Sequence, residues 1–360
     1  MAEVTIKTAD KLSQDERAAW RELQAGAPEI ASPYFSLGYL DAMTGLRGDV
    51  RVVVKAEAGA PVAFLPLQLG LLGHARPLGG PLSDHHGLVG QAADGADLIE
   101  MLARAGVSVF DFHGALGAQS AFAELGGALD GSWVIDLREG FDAWRSRRKK
   151  PGGNTLRTIL VSERKLTERH GAVEFCFDDR ASEALEAMFA WKSDQYRRTG
   201  HFDVFSVAWT RKLVEALLRS EAQSGARGVV SSLKVDGELA AVHFGMMGGG
   251  VLHYWFPAYD PAFQKEGSGN ALLVRILEAA SEHSVSEIHL GGGDYRYKAA
   301  LADWQFPIVS GFAGTGAAAA ARRLAHATET LAADLKLGPL TDLPGRVFRR
   351  IDRIAGFRAA

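Results

Sequence analysis

The sequence contains a single cysteine, Cys176, among 360 residues. One cysteine cannot form a disulfide within the chain, which excludes a disulfide-stabilised secreted scaffold and favours a reducing compartment. Long apolar runs are also missing, because the best one, 63–73, is short and contains Pro66, whereas a membrane helix needs roughly 18 to 20 apolar residues. Neither sign of charge dominates: 40 basic and 43 acidic side chains leave a net charge of −3. A general nucleic-acid binder needs a strong basic field and is not expected.

The composition is that of a globular protein, with 47% hydrophobic and 23% charged residues. At about 150 residues per domain, the length predicts two domains. The segment 1–11 mixes Glu3, Lys7 and Asp10 and has no apolar stretch, so a secretory signal is not expected. We therefore predict a cytoplasmic protein, with Cys176 in its core.

An internal repeat organises the chain. The segments around Gly59 and Gly237 both read as strand, turn and strand, and these glycines lie 178 positions apart (237 − 59). Val107 and Val285 begin a second pair of similar segments at the same spacing (285 − 107). Two matches at one offset indicate a tandem duplication, although strand and turn signals also recur by chance. Each half is predicted to be mixed α/β, with a hairpin that leads to a further strand, a helix and a late strand.

The second half has the clearest periodicity. Its predicted elements are helices over 181–199 and 210–224, strands over 228–235, 238–247 and 251–258, a helix over 268–283 and a strand over 285–290. The basic segment 141–170 between the halves is interrupted at 151–153, which predicts two helical pieces. The tail 316–360 is predicted to be helical, and its last part is basic and amphipathic.

The most informative motif follows the strand 251–258. Gln264, Gly267 and Gly269 form a Gln-x-x-Gly-x-Gly turn that opens a helix. Free N–H groups and the helix dipole favour an anion at such a turn, and glycine lets a phosphate approach the backbone. The spacing is neither the three-glycine dinucleotide fingerprint nor a P-loop. The turn predicts a pyrophosphate site, although an ordinary glycine-rich helix start has the same pattern.

A second motif is Ile288-His-Leu-Gly-Gly-Gly-Asp294, which precedes Tyr295, Tyr297 and Lys298. Together the two motifs resemble the GNAT acetyltransferase superfamily. Leu65-Pro-Leu67 and the run Pro77-Leu-Gly-Gly-Pro-Leu-Ser-Asp84 further resemble its CelD-like (BioF2-like) branch. That branch occurs in bacterial cellulose, exopolysaccharide and holdfast loci and is related to the Fem peptidyltransferases. It usually carries an acidic residue where this chain has His289, so a role of that carboxylate is not transferred.

The resemblance implies two tandem GNAT-like α/β domains, each a mixed, mostly antiparallel sheet flanked by helices. The implied divisions are a degenerate domain 1–140, a basic helical connector 141–170, a domain 171–315 with the acetyl-CoA loop, and an appended helical basic tail 316–360. Because His86, Val89 and Gln91 replace the loop motif in the first half, only the second half is expected to bind coenzyme A. The first half is expected to supply the acceptor side.

The implied reaction is acetyl-CoA-dependent N- or O-acetylation of a sugar or glycan intermediate of exopolysaccharide synthesis. The implied donor-binding residues are Tyr254, Phe256, Gln264, Lys265, Gly267, Ser268, Gly269 and Asn270. Acceptors of this kind are sugars, nucleotide sugars and lipid-linked glycans. No metal is expected, because no third ligand stands at a recognised spacing.

Direct transfer needs a base for the acceptor proton and an acid for the thiolate. The base is left open among Asp84, His85, His86, His243, His289 and Asp294. By resemblance, Tyr295 or Tyr297 would protonate the thiolate, and we favour Tyr297. We expect substrate binding by His86, Arg148 and Lys298. Each assignment has a structural alternative: a strand histidine can be a core residue, a tyrosine-rich turn can pack on the sheet, and a basic run can be a solvated helix face.

Two other functions remain open. A Fem-like transferase would use aminoacyl-tRNA, although the long helical-hairpin arm frequent in those proteins has no counterpart here. A non-catalytic effector protein would bind an anionic ligand, such as a cyclic dinucleotide, through the basic tail. The same tail predicts peripheral contact with an anionic inner-membrane surface.

Overall fold

The computed structural model describes residues 2–317, together with 319, 320, 322, 324 and 357. Its strands are β1 (Glu3–Lys7), β2 (Val50–Glu57), β3 (Ala60–Leu69), β4 (His74–Pro77), β5 (Val89–Gly90), β6 (Val109–Leu116), β7 (Gly126–Asp136), β8 (Val173–Cys176), β9 (Arg227–Val235), β10 (Glu238–Gly248), β11 (Val251–Tyr259), β12 (Glu287–Gly291) and β13 (Trp304–Gly314). Its α-helices are α1 (Gln14–Ala25), α2 (Leu37–Thr44), α3 (Gly95–Arg104), α4 (Ser120–Ala123), α5 (Phe141–Arg148), α6 (Gly153–Leu160), α7 (Ser162–His170), α8 (Ser182–Arg198), α9 (Ala208–Arg219), α10 (Ser268–Ala279) and α11 (Arg296–Leu301). None of the described helices is long and apolar enough to cross a membrane.

The chain divides into two compact units. The first comprises Met1–Ile30, Leu40–Asp130 and Pro307–Ala360, and the second comprises Ala31–Tyr39 and Gly131–Phe306. This division differs from the sequential one that the repeat suggests, because most of β13 pairs with β6 of the first unit. The basic segment that contains α5, α6 and α7 belongs to the second unit.

The first unit is a mostly antiparallel sheet in the order β1-β2-β3-β4-β6-β13, with β5 on the edge of β3. Only the β4–β6 pair is parallel among its described strand pairs. Leu98, Met101 and Leu102 lie on one face of α3 and are buried in a core that includes Phe110 and Phe112 of β6. Apolar residues at helical spacing on α3 thus anchor that helix to the sheet.

The second unit has the order β7-β12-β11-β10-β9-β8, and only β11–β12 is parallel among its described strand pairs. Its core is formed by the sheet, α10 and the helices of the basic segment; Leu273 and Ile276 of α10 are buried together with Leu156 and Ile159 of α6. The predicted mixed α/β class, with mostly antiparallel sheets flanked by helices, is confirmed.

The predicted repeat corresponds to equivalent elements in the two units. The β2–β3 hairpin turns at Ala58-Gly59 and the β9–β10 hairpin turns at Asp236-Gly237, and all four residues have positive φ. Two consecutive residues with positive φ are typical of a type I′ turn, which explains the glycine in each hairpin. Each hairpin is followed along the chain by the strands of a parallel pair.

Several elements depart from the sequence-based expectations. The segment 141–170 forms three helices instead of two, because Val161 (φ −98°, ψ 3°) separates α6 from α7. Cys176 is exposed on β8, which ends the strand order of the second unit, so its predicted place in the core is wrong. Apart from Phe357, the basic stripe predicted near the end of the tail lies outside the described residues.

Candidate functional site

The parallel strands of the second unit separate partway along their length. β11 pairs with β12 from Val251–Glu287 to His253–His289. β11 then continues to Tyr259, whereas β12 ends at Gly291. The edge of β11 beyond His253 is therefore not hydrogen-bonded to β12. We call this divergence the β11–β12 fork.

A β-bulge lies next to the fork. On β10, Phe244 pairs with Phe256 and the adjacent Gly245 pairs with Tyr254, so Trp255 is an extra residue on β11. Bulges bend a strand and re-aim its side chains, and they are frequent beside active sites. Here the bulge occurs within the part of β11 that β12 no longer accompanies.

The Gln-x-x-Gly-x-Gly turn lies between β11 and α10, as the sequence predicts. Gly267 is the N-cap of α10 in the left-handed conformation (φ 84°), and its carbonyl accepts from the N–H groups of Asn270 and Ala271. Within the described structure, no hydrogen-bond acceptor is assigned to the N–H groups of Ser268 and Gly269, and the Ser268 Oγ is buried without a partner. The first turn of α10 thus retains the donors that suit an anion.

The side chains of this turn differ in exposure. Gln264 and Lys265 are exposed, whereas Glu266 is buried. The Glu266 carboxylate lies 2.7 Å from the Arg169 Nη1 and 3.5 Å from the His170 Nε2, both at the end of α7. A Cβ at position 267 would lie 2.9 Å from the Ser162 Oγ of the same helix. Helix α7 therefore supports the turn. Its Arg169 places a positive charge beside Glu266, which is the acidic side chain of the turn.

Two tyrosines lie close to the fork. Tyr254 is buried and its ring stacks on His243 at 4.1 Å. Burial raises the pKa of Tyr254, and the nearby Tyr297 adds to the shift. Tyr297 lies on α11, after β12, and burial raises its pKa to about 12, with a smaller contribution from Tyr295. Both phenols therefore remain protonated hydrogen-bond donors at neutral pH.

The strand histidines of the second unit are buried. Burial, with a smaller contribution from His253, holds the pKa of His243 well below its ordinary value, and neither ring nitrogen has a hydrogen-bond partner in the described part of the chain. His289 lies at the base of the fork, with its Nε2 3.2 Å from Glu287. Burial lowers its pKa although Glu287 opposes the shift. Both rings are neutral, and His243 packs as a core residue.

The candidate bases Asp84, His85 and His86 belong to the first unit, and none of them is exposed. His85 and His86 are buried, and the backbone of His86 bonds on both sides to β6. The His86 ring lies about 6 Å from the rings of Phe110, Phe112 and Phe122, at 5.9, 6.3 and 5.7 Å. Burial keeps its pKa well below its usual range. The aromatic neighbours are close in space but distant in sequence, which explains why the local pattern misled.

Two predicted substrate ligands hold the backbone around α11. The Arg148 Nη2 donates to the carbonyls of Ala299 and Ala300 at 2.8 and 3.2 Å. The Lys298 Nζ donates to the Gly292 carbonyl at 2.5 Å and lies over the Tyr295 ring. These contacts do not support substrate binding. They fix the turn around Gly292, which follows β12, and α11, which carries Tyr297. Asp294 is exposed in this turn.

Comparisons with known proteins agree with this geometry. Residues 153–299 match the family model described as an acetyltransferase (GNAT) domain. No curated protein matches the chain. Three solved structures share the fold at low identity. FemX has a TM-score of 0.55 and 10% identity, and the match covers 86% of this chain and 96% of FemX. The C-terminal domain of a putative lysylphosphatidylglycerol synthetase from Agrobacterium fabrum has a TM-score of 0.52 and 14% identity, over 86% of this chain and 94% of that domain. A tandem GNAT protein of the clavulanic acid pathway has a TM-score of 0.51 and 13% identity, over 88% of this chain and 99% of that protein. Residues 153–299, which lie in the second unit, are therefore similar to GNAT acetyltransferase domains, and the chain shares the fold of these structures.

Proposed function

We propose that this protein is an acyltransferase that transfers an acetyl group from acetyl-CoA to a hydroxyl or amino group of a sugar intermediate in exopolysaccharide synthesis. The observation that carries the proposal is the β11–β12 fork, which lies directly before the glycine turn at the start of α10. A fork offers a strand edge to an extended ligand, and a helix start offers N–H donors to a phosphate.

The turn would hold the pyrophosphate of the donor. The N–H groups of Ser268 and Gly269 supply donors, and Gly267 lets the turn lie close to α7, because a side chain there would meet Ser162. Lys265 is exposed beside them and adds positive charge. Because Glu266 is paired with Arg169, its carboxylate does not leave the turn with an unbalanced negative charge.

The pantetheine arm would lie along β11 from Tyr254 to Pro257. Tyr297 would then act as the acid that protonates the departing thiolate, because its phenol is kept protonated by burial. A general acid must carry its proton when the leaving group departs, and the raised pKa of Tyr297 meets that condition at neutral pH. The chemistry is direct transfer, without an acetyl-enzyme intermediate.

The sugar acceptor rests on the sequence motifs of the CelD-like branch, Leu65-Pro-Leu67 and 77–84. A nucleotide sugar or a lipid-linked glycan would both present the required hydroxyl or amine. We place the reaction in the cytoplasm, where a lipid-linked acceptor would be reached at the inner membrane surface. An aminoacyl-tRNA donor is the alternative suggested by the Fem resemblance.

The donor site is tested with Gly269→Asp. Gly269 has no positive φ, and a Cβ there would come no closer than 3.3 Å to Tyr259, so the substitution adds a negative charge with little strain. Gly267 is less suitable, because its φ of +84° strains any other residue. We expect wild type to bind acetyl-CoA in calorimetry and Gly269→Asp to bind at least about tenfold more weakly, because a like charge placed beside the pyrophosphate costs more than about 1.4 kcal/mol.

The matched control is Gly48→Asp, in the first unit, where a Cβ meets no atom within 4 Å. This variant should bind acetyl-CoA as wild type does. Equal binding by Gly269→Asp would reject the site. Consumption of a charged tRNA, and not of acetyl-CoA, would instead assign the Fem-like activity, and tight binding of a cyclic dinucleotide without coenzyme A binding would assign an effector role.

A further inference from the structure

Lys192 is a half-buried lysine with no acidic partner among the residues that the structure describes. It lies on α8, and its Nζ donates to the Pro257 carbonyl at 3.1 Å and to the Gln195 Oε1 at 3.1 Å. The Nζ also lies 5.4 Å from the centre of the Tyr196 ring. All three neighbours are uncharged. An ammonium removed from water is normally paired with a carboxylate, so this arrangement is unusual for a structural lysine.

Two acidic groups near this end of α8 are engaged elsewhere. Asp194 on the same helix pairs with Arg198 at 2.7 Å. Asp203, at the start of the turn that packs on α8, accepts from the Ser193 Oγ and from the Phe205 N–H. On β10, the residue that pairs with Pro257 is His243, whose ring is neutral.

Within the described part of the chain, no neighbouring charge therefore holds the proton on Lys192. Burial alone lowers the pKa of Lys192 to about 8. At neutral pH about a tenth of the side chains carry the free amine. Buried lysines in this range are suited to general-base catalysis, and the same group held by a carboxylate would not be.

The position of Lys192 gives this amine a possible task. Pro257 lies on β11 beyond the Trp255 bulge, in the stretch that β12 no longer accompanies. The Lys192 Nζ is thus held at the β11 strand of the fork. The helix that carries it, α8, precedes β11 in the sequence, whereas the glycine turn follows β11. The other histidines considered are less suitable, since His243 is sealed in the core and burial lowers the pKa of His289, which makes its ring a weaker base.

We propose that Lys192 is the general base of the transfer and takes the proton from the acceptor. This inference rests on the proposed function. The acceptor oxygen or nitrogen forms a bond to the thioester carbon while its proton passes to the lone pair of the Lys192 Nζ. The carbon–sulfur bond then breaks, and the thiolate receives a proton from the Tyr297 phenol. Lys192 and Tyr297 return to their starting states by proton exchange with solvent.

The test compares Lys192→Arg, Lys192→Gln and wild type. Arginine keeps the positive charge and the donors toward Pro257 but cannot act as a base near neutral pH. Thiol release from acetyl-CoA is measured with glucosamine as the acceptor probe, and with water alone as the acceptor. We expect both variants to bind acetyl-CoA as wild type does and to lose about 100-fold in rate. The wild-type rate should rise with pH to a plateau above about 8.

A matched control is Lys212→Arg, at an exposed position on α9, which should leave rate and pH profile unchanged. If Lys192→Arg retains the wild-type rate while Lys192→Gln loses it, Lys192 binds an anion and the base assignment is overturned. Binding of acetyl-CoA with no thiol release above the enzyme-free blank also overturns it. Failure of wild type to bind acetyl-CoA is a different result, which removes the proposed function itself.

Discussion

The parallel strand pairs of the two units start alike and end differently. In the first unit, β4 pairs with β6 at His74–Val109 and Ala75–Phe110. Shifted by 178 positions, these pairs fall one residue from the register of β11 and β12. Farther along β6, past its pairing with β4, another segment of the first unit takes the place of β4. There His86 forms a parallel bridge to Ala115 of β6. No such bridge runs along β12 in the described structure. In the described structure, the parallel strand pair is thus extended by the protein's own chain in the first unit but not in the second.

Equivalent positions carry different chemistry in the two units. Gln119 stands 178 positions before Tyr297 (297 − 119), and its side chain binds both the N–H and the carbonyl of Leu88 at 2.9 and 2.8 Å. It therefore fixes the chain segment that fills the first unit. Tyr297 instead keeps a protonated phenol near the fork. At these equivalent positions the first unit has a side chain that holds the protein's own backbone, and the second unit has a buried phenol near the fork.

The largest expected effect concerns the filled strand pair. Gly114 on β6 has a φ of +68°, and a Cβ there would lie 2.4 Å from the Asp84 carbonyl. We expect Gly114→Ala to lower the free energy of unfolding by about 3 kcal/mol or more, because strain and a backbone clash add. Gly106→Ala, with φ +75° and no atom within 4 Å, should cost about 1 kcal/mol. Equal costs in urea denaturation would show that close packing of 84–88 is not what requires Gly114.

The next effect concerns the proposed donor site. Tyr297→Phe removes the proposed acid while leaving the ring in place. We expect the transfer rate to fall about 100-fold, with acetyl-CoA affinity unchanged, because a general acid acts in the transition state and not in donor binding. Tyr295→Phe is the control, since that side chain is 59% exposed. Turnover and calorimetry give both quantities, and a weaker affinity with an unchanged rate would assign Tyr297 to donor binding.

The sequence predicted best where local patterns decide the structure. The strands β9, β10 and β11, the start of α10 at Ser268 and the strand β12 all follow the predicted ranges closely. The hairpin glycines and the glycine turn are signals within a few residues, so they can be read without knowledge of the fold.

What the sequence did not predict depends on distant neighbours. The fork and the bulge at Trp255 arise from pairing among three strands, and no single segment records them. Asp84-His-His86 has the polar composition of an exposed loop, but three phenylalanines from two other elements enclose His86. Lys192 lies in an amphipathic helix, where lysine usually faces water. Only the tertiary contact with Pro257 distinguishes it.

The smallest expected effect uses one buried histidine from each unit. Burial depresses the folded-state pKa of His86 and of His243, whereas an unfolded histidine has a pKa of about 6.5. Below that pH the unfolded chain binds more protons, so stability is present above about 6.5 and is lost as pH falls. At pH 5.5, each histidine should therefore lower the free energy of unfolding by about 1.4 kcal/mol. In urea unfolding at pH 7.5 and 5.5, His86→Phe and His243→Phe should each remove that share of the loss. If both variants lose as much free energy of unfolding between pH 7.5 and 5.5 as wild type does, other groups cause the acid sensitivity. If only one variant loses less than wild type, the two units differ in acid sensitivity as well as in chemistry.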